Sequence, residues 1–173
     1  ANISRSYGAE IPFLRPKNLS DDYTPTLPVI SHSIEQCLKL KYKFDNVCCI
    51  YPTALFLSVE DLKLSFSLFK KNKNKFCFPV AEFPSSVHRS FFLDKKNKVT
   101  LFNPKNEFKR TQDLEPLFYD CGQFYWGAKN KWLNSKKIHS EGVGYVIPSW
   151  RVIDLDTQDD WKRAEILKKI LKI

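Results

Sequence analysis

Two aspartates near the C-terminal end of the chain are the strongest candidates for chemistry. Asp154 and Asp156 lie in the segment VIDLDT, an apolar run that stops where a helix is predicted to begin. On a strand, residues two apart project from the same face, and open α/β sheets bind ligands beyond the carboxyl ends of their strands. Two adjacent carboxylates repel unless a cation lies between them, and Mg²⁺ with substrate phosphates is a usual solution. We therefore predict a magnesium site; the alternative is one aspartate that ends a strand beside one that caps a helix.

A second candidate is a basic and hydroxylated segment near the start of the chain. Arg15 follows a short apolar stretch predicted as a strand, and Thr24 and Thr26 precede a predicted helix. This pattern suits an anion or a ribose, because the first turn of a helix has free N–H donors. Simple helix capping explains the two threonines equally well.

A third candidate is the aromatic segment YDCGQFYW at residues 119–126. Gly122 within a predicted strand indicates close approach of a ligand or of another backbone segment. The alternative, which composition favours, is an aromatic strand of the core. The histidines at 32, 88 and 139 lack the spacing of metal ligands, so we expect them to pack or to lie on the surface.

Composition limits the class of protein. The 173 residues include 28 Lys+Arg and 19 Asp+Glu, for a net charge of +9, with 43% hydrophobic and 14% aromatic residues. This hydrophobic content excludes intrinsic disorder, and the length suits one domain. The lysines cluster in turn-like runs at 70–75 and 94–98, which favours solvated loops over a nucleic-acid surface. A basic nucleic-acid-binding module is therefore the distant alternative.

Apolar runs and cysteines bear on localisation. The longest apolar runs are a few residues, so we expect no membrane association. The five cysteines have neither C-x-x-C spacing nor the pattern of a disulfide framework, which predicts reduced thiols in a cytoplasmic protein.

The elements that must position the candidates alternate between strands and helices, which predicts an α/β fold with a mostly parallel sheet. Helices are predicted at residues 25–40, from a capping box of Ser58 and Asp61 to about residue 69, and from a capping box of Thr157 and Asp160 onward. The inner stripe predicted for the last helix is Trp161, Ala164, Leu167, Ile170 and Leu171. Strands are predicted at residues 10–14, 47–51, 76–83, 90–93, 99–102, 122–126, 144–147 and 151–155.

Four segments together resemble the nucleotidyltransferases that activate nonulosonic acids, and among them the pseudaminic acid cytidylyltransferases. They are GAEIPFLRPKNLSDDYTPTLPVI, CCIYPTALF, RTQDLEPLFYDCGQFYWG and WRVIDLDTQDDWKRAE. The resemblance extends over essentially the whole chain, with the segments in the family's order. It implies a three-layer, Rossmann-like nucleotidyltransferase fold in one domain, residues 1–173, with residues 76–110 as an inserted β arm for dimerisation.

The resemblance also implies a reaction and a set of roles. CTP and pseudaminic acid would give CMP-pseudaminic acid and diphosphate with Mg²⁺, for glycosylation of flagellin or of surface glycans. The alternative within the group is a CMP-N-acetylneuraminate synthetase or another keto-sugar cytidylyltransferase. By match to the family's motifs, Asp154 and Asp156 would bind the metal and carry catalysis. The residues that would bind CTP are Arg15, Thr24 and Thr26, and those that would contact the sugar are Tyr125 and Gln123. Arg89 and Arg110 would reach the site from the partner subunit of a homodimer.

Two departures from the family's pattern accompany the resemblance. Leu55 replaces the proline of the family's PTAPF or PTSPL turn, and Tyr51 stands where neuraminate enzymes carry Gln, which fits the pseudaminate branch. Members also begin with a strand and a phosphate loop, for which no residues precede Ala1 in this sequence. We expect that roughly fifty residues are missing, judged from the size of a βαβ unit. The 173-residue chain alone is then expected to be inactive or nearly so.

Overall fold

The computed structural model describes residues 1–171, which form two compact units. The first unit comprises Ala1–Ile50, Lys63–Cys77 and Phe124–Val143. The second comprises Tyr51–Leu62, Phe78–Gln123 and the described chain from Gly144 onward.

Five α-helices and seven strands follow one another along the described chain. The helices are α1 (Asn2–Ser6), α2 (Thr26–Lys39), α3 (Val59–Lys71), α4 (Lys129–Asn134) and α5 (Gln158–Leu171). The strands are β1 (Asn46–Ile50), β2 (Phe76–Glu82), β3 (Phe91–Leu93), β4 (Val99–Leu101), β5 (Phe118–Asp120), β6 (Phe124–Ala128) and β7 (Gly142–Val146). The three predicted helices are confirmed as α2, α3 and α5.

The core of the first unit is aromatic. Strands β1 and β6 are antiparallel, and β2 meets β6 where Cys77 lies opposite Trp126. Trp132 of α4 is fully buried, packs edge-on against Phe76, and donates its indole N–H to the carbonyl of Val47 at 3.3 Å. The hydroxyl of Ser31 in α2 donates to the carbonyl of Trp132 at 2.9 Å. These contacts fix α2 and α4 against the strands.

The second unit contains two small hydrophobic clusters and a separate hairpin. The later residues of β2 pair with β5 in antiparallel register, and β7 also pairs with β2. One cluster comprises Ala81, Cys121, Ile147 and Val152, with Tyr119 and Tyr145 packed against it. The other comprises Phe56, Ile153 and Ala164, with Leu155, Leu167 and Leu171 packed against it. Strands β3 and β4 form a two-stranded antiparallel sheet, which covers only the middle of residues 76–110.

The prediction of a mostly parallel sheet is wrong. The pairs β1–β6, β2–β6, β2–β5 and β3–β4 are all antiparallel. The prediction rested on continuous apolar runs such as residues 47–51. Such a run indicates burial on both faces of a strand, but it carries no information about the direction of the neighbouring strand.

Three local predictions also need correction. Residues 10–14 and 152–155 form no strand, and residues 152–155 pair with no neighbour in a ladder. On α5, Ala164 is buried and Leu167 and Leu171 are half-buried, whereas Trp161 and Ile170 are exposed, because the cluster beneath the helix is narrow. Among residues 1–171, no helix combines the length and the hydropathy needed to cross a bilayer.

Candidate active site

The aspartate pair lies on an extended segment whose side chains alternate between two environments. Val152 and Ile153, 6% and 7% exposed, pack into the two different clusters of the second unit. Leu155 joins the cluster of Ile153, whereas Asp154 approaches Gly122, the neighbour in sequence of Cys121 in the cluster of Val152. The alternation that the sequence predicted is thus present without a strand ladder.

The carboxylate of Asp154 lies in an acidic environment. Partial burial raises its pKa, the nearby carboxylate of Asp156 raises it further, and Asp160 and Asp120 add to the effect. The backbone N–H of Leu155 opposes the shift. Concentrated negative charge of this kind is relieved by a cation, and oxygen ligands are those that Mg²⁺ prefers. Asp154 and Asp156 are therefore the residues here that could hold a magnesium ion.

No larger metal-binding cluster accompanies the pair. Among the described residues, no group of three or more His, Cys, Asp or Glu side chains could hold a metal ion. A pair of carboxylates is nevertheless the usual protein share of a Mg²⁺ site on a phosphate-bearing substrate.

The helix cap beside the pair is Thr157. Its hydroxyl donates to Oδ2 of Asp160 at 2.6 Å, and the N–H of Asp160 donates back to that hydroxyl at 3.2 Å. This capping box was predicted and is confirmed. The alternative that Asp156 caps the helix is not supported, because Thr157 occupies that position.

The turn that contains Asp120 and Gly122 lies near the carboxylate of Asp154. Gly122 has φ +59°, and a Cβ placed on it would lie 3.8 Å from Oδ2 of Asp154. Its N–H donates to Oδ1 of Asp120 at 3.1 Å, which closes an Asx turn. Sequence reasoning singled out Gly122 but missed Asp120. The Asp-Cys-Gly turn pattern was the signal that could have found it.

The residues that the resemblance assigns to CTP lie in the first unit. Arg15 is exposed and donates from Nε to the hydroxyl of Ser20 at 3.2 Å. The hydroxyl and N–H of Thr24 both donate to Oδ1 of Asp21, at 2.9 and 2.7 Å. Hydrogen bonds from Tyr23 and Thr24 lower the pKa of Asp21. Thr24 therefore orders the turn before α2 but does not cap the helix, because Pro25 is the N-cap residue and no side chain makes a capping hydrogen bond there.

Thr26, the first residue of α2, lines a cleft of about 500 Å³. Two lysines and an exposed histidine of the loop after α4 line the same cleft, namely Lys136, Lys137 and His139. Its lining residues include no carboxylate, so the cleft is positively charged.

The residues assigned to the sugar are both buried. Tyr125 and Gln123 are each 3% exposed. The ring of Tyr125 packs edge-on against the ring of His139, with centroids 6.1 Å apart. His139 is the exposed member of this pair. No motif in the sequence had marked His139 as a candidate binding residue.

Arg89 and Arg110 are exposed residues of the second unit, on either side of the β3–β4 hairpin. Arg110 makes two bonds to Asp113, at 2.8 and 2.9 Å, and Nη1 of Arg89 approaches the carbonyl of Lys109 at 3.5 Å. The hairpin itself exposes its apolar side chains: Phe91, Phe92, Leu93 and Val99 are 58%, 62%, 64% and 58% exposed.

Comparison with known proteins identifies the family. No family model matches the chain. A pseudaminic acid cytidylyltransferase of Campylobacter jejuni serotype O:2 is 38% identical over 171 residues, covering 97% of this chain and 73% of the relative. The chain belongs to the pseudaminic acid cytidylyltransferase family. The protein of the same name from serotype O:23/36 is 37% identical with the same coverage. Membership of this family confirms the resemblance and makes the chain a nucleotidyltransferase.

A more distant relative shows how far the family's relations extend. The CMP-N,N′-diacetyllegionaminic acid synthase of Legionella pneumophila is 23% identical over 178 residues, covering 98% of this chain and 74% of the relative. Relatives of this cytidylyltransferase family thus include a protein named for a different nonulosonic acid.

Proposed function

We propose that this protein transfers CMP from CTP to pseudaminic acid and releases diphosphate. The observation that carries the proposal is 38% identity over 97% of the chain to a pseudaminic acid cytidylyltransferase. The legionaminate relative, at 23% identity, supports nonulosonic acids as the substrate class. The protein would act in the cytoplasm, with no nucleic acid or membrane as a partner, and its product would serve glycosylation of flagellin or of surface glycans.

In this reaction the anomeric hydroxyl of the sugar attacks the α-phosphate of CTP in line. Asp154 and Asp156 would hold Mg²⁺, which when bound neutralises the charge that develops on the phosphates. The acidic environment of Asp154 supports this role, because a site with excess negative charge favours a divalent cation. Catalysis then depends mainly on positioning and electrostatic stabilisation, for which this chain supplies fixed carboxylates.

The first unit is proposed to bind CTP. Arg15, Thr24 and Thr26 are assigned to CTP, and the positively charged cleft at Thr26 supports an anionic ligand there. Tyr125 and Gln123 are assigned to the sugar. Because Tyr125 is buried and its ring packs against the exposed ring of His139, we propose that Tyr125 shapes the sugar pocket from behind that ring.

We further propose a nucleotidyltransferase fold of three layers and a homodimer formed through residues 76–110. The exposed apolar hairpin supports the dimer, since contiguous exposed apolar side chains mark interaction sites. Arg89 and Arg110 would then face the sugar carboxylate or the phosphates of the partner's site.

The test is a diphosphate-release assay on the protein as translated from its gene, with CTP, Mg²⁺ and one sugar at a time. Pseudaminic acid is expected to support the highest kcat/KM, above legionaminic and N-acetylneuraminic acids. Equal or higher turnover with N-acetylneuraminic acid would reassign the substrate. Absence of diphosphate release with all three would contradict the proposed function.

A further inference from the structure

Arg151 and Asp61 form a two-point ion pair inside the second unit. Nη1 of Arg151 lies 2.7 Å from Oδ2 of Asp61, and Nη2 lies 2.9 Å from Oδ1. The side chain of Asp61 is 6% exposed and that of Arg151 is 19% exposed. Parallel N–H···O bonds of this kind fix the orientation of both side chains.

Asp61 is itself held by the start of α3. The hydroxyl of Ser58 donates to its Oδ2 at 2.6 Å, the N–H of Ser58 donates at 3.2 Å, and the hydroxyl of Tyr145 also bonds to this carboxylate. Burial alone would raise the pKa of Asp61, but the bonds from Arg151 and Ser58 outweigh it and lower the pKa. The carboxylate is thus a charged and immobile anchor.

Arg151 lies three residues before Asp154. Between them, Val152 and Ile153 insert into different clusters, and the Thr157–Asp160 box holds the far end of the segment. Since residues 152–155 pair with no strand, side-chain anchors rather than a ladder determine where the segment runs.

We propose that Asp61 is a positioning residue that acts through Arg151 to place the carboxylates of Asp154 and Asp156. The proposal rests on the proposed function in so far as these carboxylates bind a divalent cation. Stability alone does not account for the pair, because replacing a buried ion pair with apolar residues is often neutral or stabilising. Its distinctive effect is to fix the start of the segment that carries the aspartates.

The test separates this effect from helix capping. Asp61→Asn keeps a side chain that can cap α3 but removes the charge that holds Arg151. Arg151→Lys keeps the charge and loses the two-point geometry. The matched control is Ser58→Ala, which removes the capping hydroxyl and its bond to Asp61 but leaves both bonds between Asp61 and Arg151 in place.

Mn²⁺ affinity, measured by water-proton relaxation well below the melting temperature of each variant, is the main readout. For Asp61→Asn we expect the dissociation constant to rise about tenfold, as for other residues that orient metal ligands. Arg151→Lys should give a smaller rise. Ser58→Ala should lower the melting temperature without weakening Mn²⁺ binding. Wild-type affinity in Asp61→Asn, or equal weakening in Ser58→Ala, would overturn the proposal.

A second readout does not depend on metal. The close approach of Gly122 to Asp154 predicts a nuclear Overhauser effect between the α protons of Gly122 and the β protons of Asp154 in the metal-free protein. It should persist in Ser58→Ala and disappear in Asp61→Asn; persistence in Asp61→Asn would refute the positioning role. If wild-type protein does not bind Mn²⁺, the metal assignment of the proposed function fails, and this measurement alone decides the inference.

Discussion

Gly122 lies directly against the carboxylate of Asp154: a Cβ added to the glycine would be 3.8 Å from Oδ2. Its backbone, at φ +59°, occupies the left-handed region, and its N–H bonds to Asp120. The glycine thus brings the turn of Asp120 next to Asp154 and connects the two acidic segments of the second unit.

Gly122→Ala is expected to reduce both stability and activity. A side chain in the left-handed region costs about 1–2 kcal/mol, so the melting temperature should fall. Relaxation of the turn would then move Asp154 and lower kcat more than it changes KM for CTP. The matched control is Gly8→Ala, at φ +84° with no atom within 4 Å of the added Cβ. A loss of kcat as large in Gly8→Ala as in Gly122→Ala would contradict the local explanation.

Asp154→Asn is expected to abolish diphosphate release while raising the stability of the metal-free protein. The pKa of Asp154 is raised above its ordinary value of 3.8, so the folded state binds this proton more tightly than the unfolded state does. The free energy of unfolding therefore falls as pH rises through the range above 3.8. At pH 7 the variant should melt at a higher temperature than wild type, and the difference should vanish once pH falls below that range.

Two measurements would contradict the Asp154 prediction. Thermal unfolding in EDTA that shows no gain for the variant at pH 7 would mean that the carboxylates do not repel. An unchanged rate of diphosphate release in both Asp154→Asn and Asp156→Asn would remove the metal assignment.

The features that the sequence predicted well are those whose partners are close in the chain. The capping boxes Ser58–Asp61 and Thr157–Asp160 each span three residues, and both form as predicted. Strand direction depends instead on hydrogen bonds between distant segments. Apolar runs predict the burial of such strands and not their orientation, so the antiparallel pairs β1–β6, β2–β6 and β2–β5 were not foreseen.

The candidate site divides in the same way. The alternation that places Asp154 beside Val152 was evident from VIDLDT. Asp120 lies 34 residues earlier and helps to raise the pKa of Asp154; the Asp-Cys-Gly pattern could have identified its turn, but nothing in the sequence linked that turn to Asp154. The pairing of Asp61 with Arg151, 90 residues apart, follows from the fold alone, since a capping aspartate and an arginine are each common on a surface.

The native thiols are expected to react slowly. Burial raises the pKa of Cys48 and Cys121 to about 12, and that of Cys49 and Cys77 to about 11. At pH 8 a thiol of pKa 11 has about a hundredfold less thiolate than one of pKa 9. Titration with Ellman's reagent should therefore show Cys37 reacting first, and all five reacting together in guanidinium. Rapid reaction of five thiols in the native protein would contradict the raised pKa of the half-buried Cys48 and Cys49 and of the buried Cys77 and Cys121.

The hairpin offers a test of the dimer. Phe91 and Leu93 lie on the same face of β3 and are 58% and 64% exposed, so charged replacements there should not disturb the fold. In the double variant Phe91→Asp/Leu93→Asp, sedimentation velocity is expected to show a monomer, because a buried charge without a partner opposes association. Its thermal melting profile should be unchanged.

The control is Tyr7→Asp, at an exposed aromatic outside residues 76–110, which should remain dimeric. If the arm supplies Arg89 and Arg110 to the partner's site, the monomeric variant should also bind the sugar more weakly, with a larger loss of affinity for the sugar than for CTP. A dimer that survives the double substitution would exclude the hairpin as the interface.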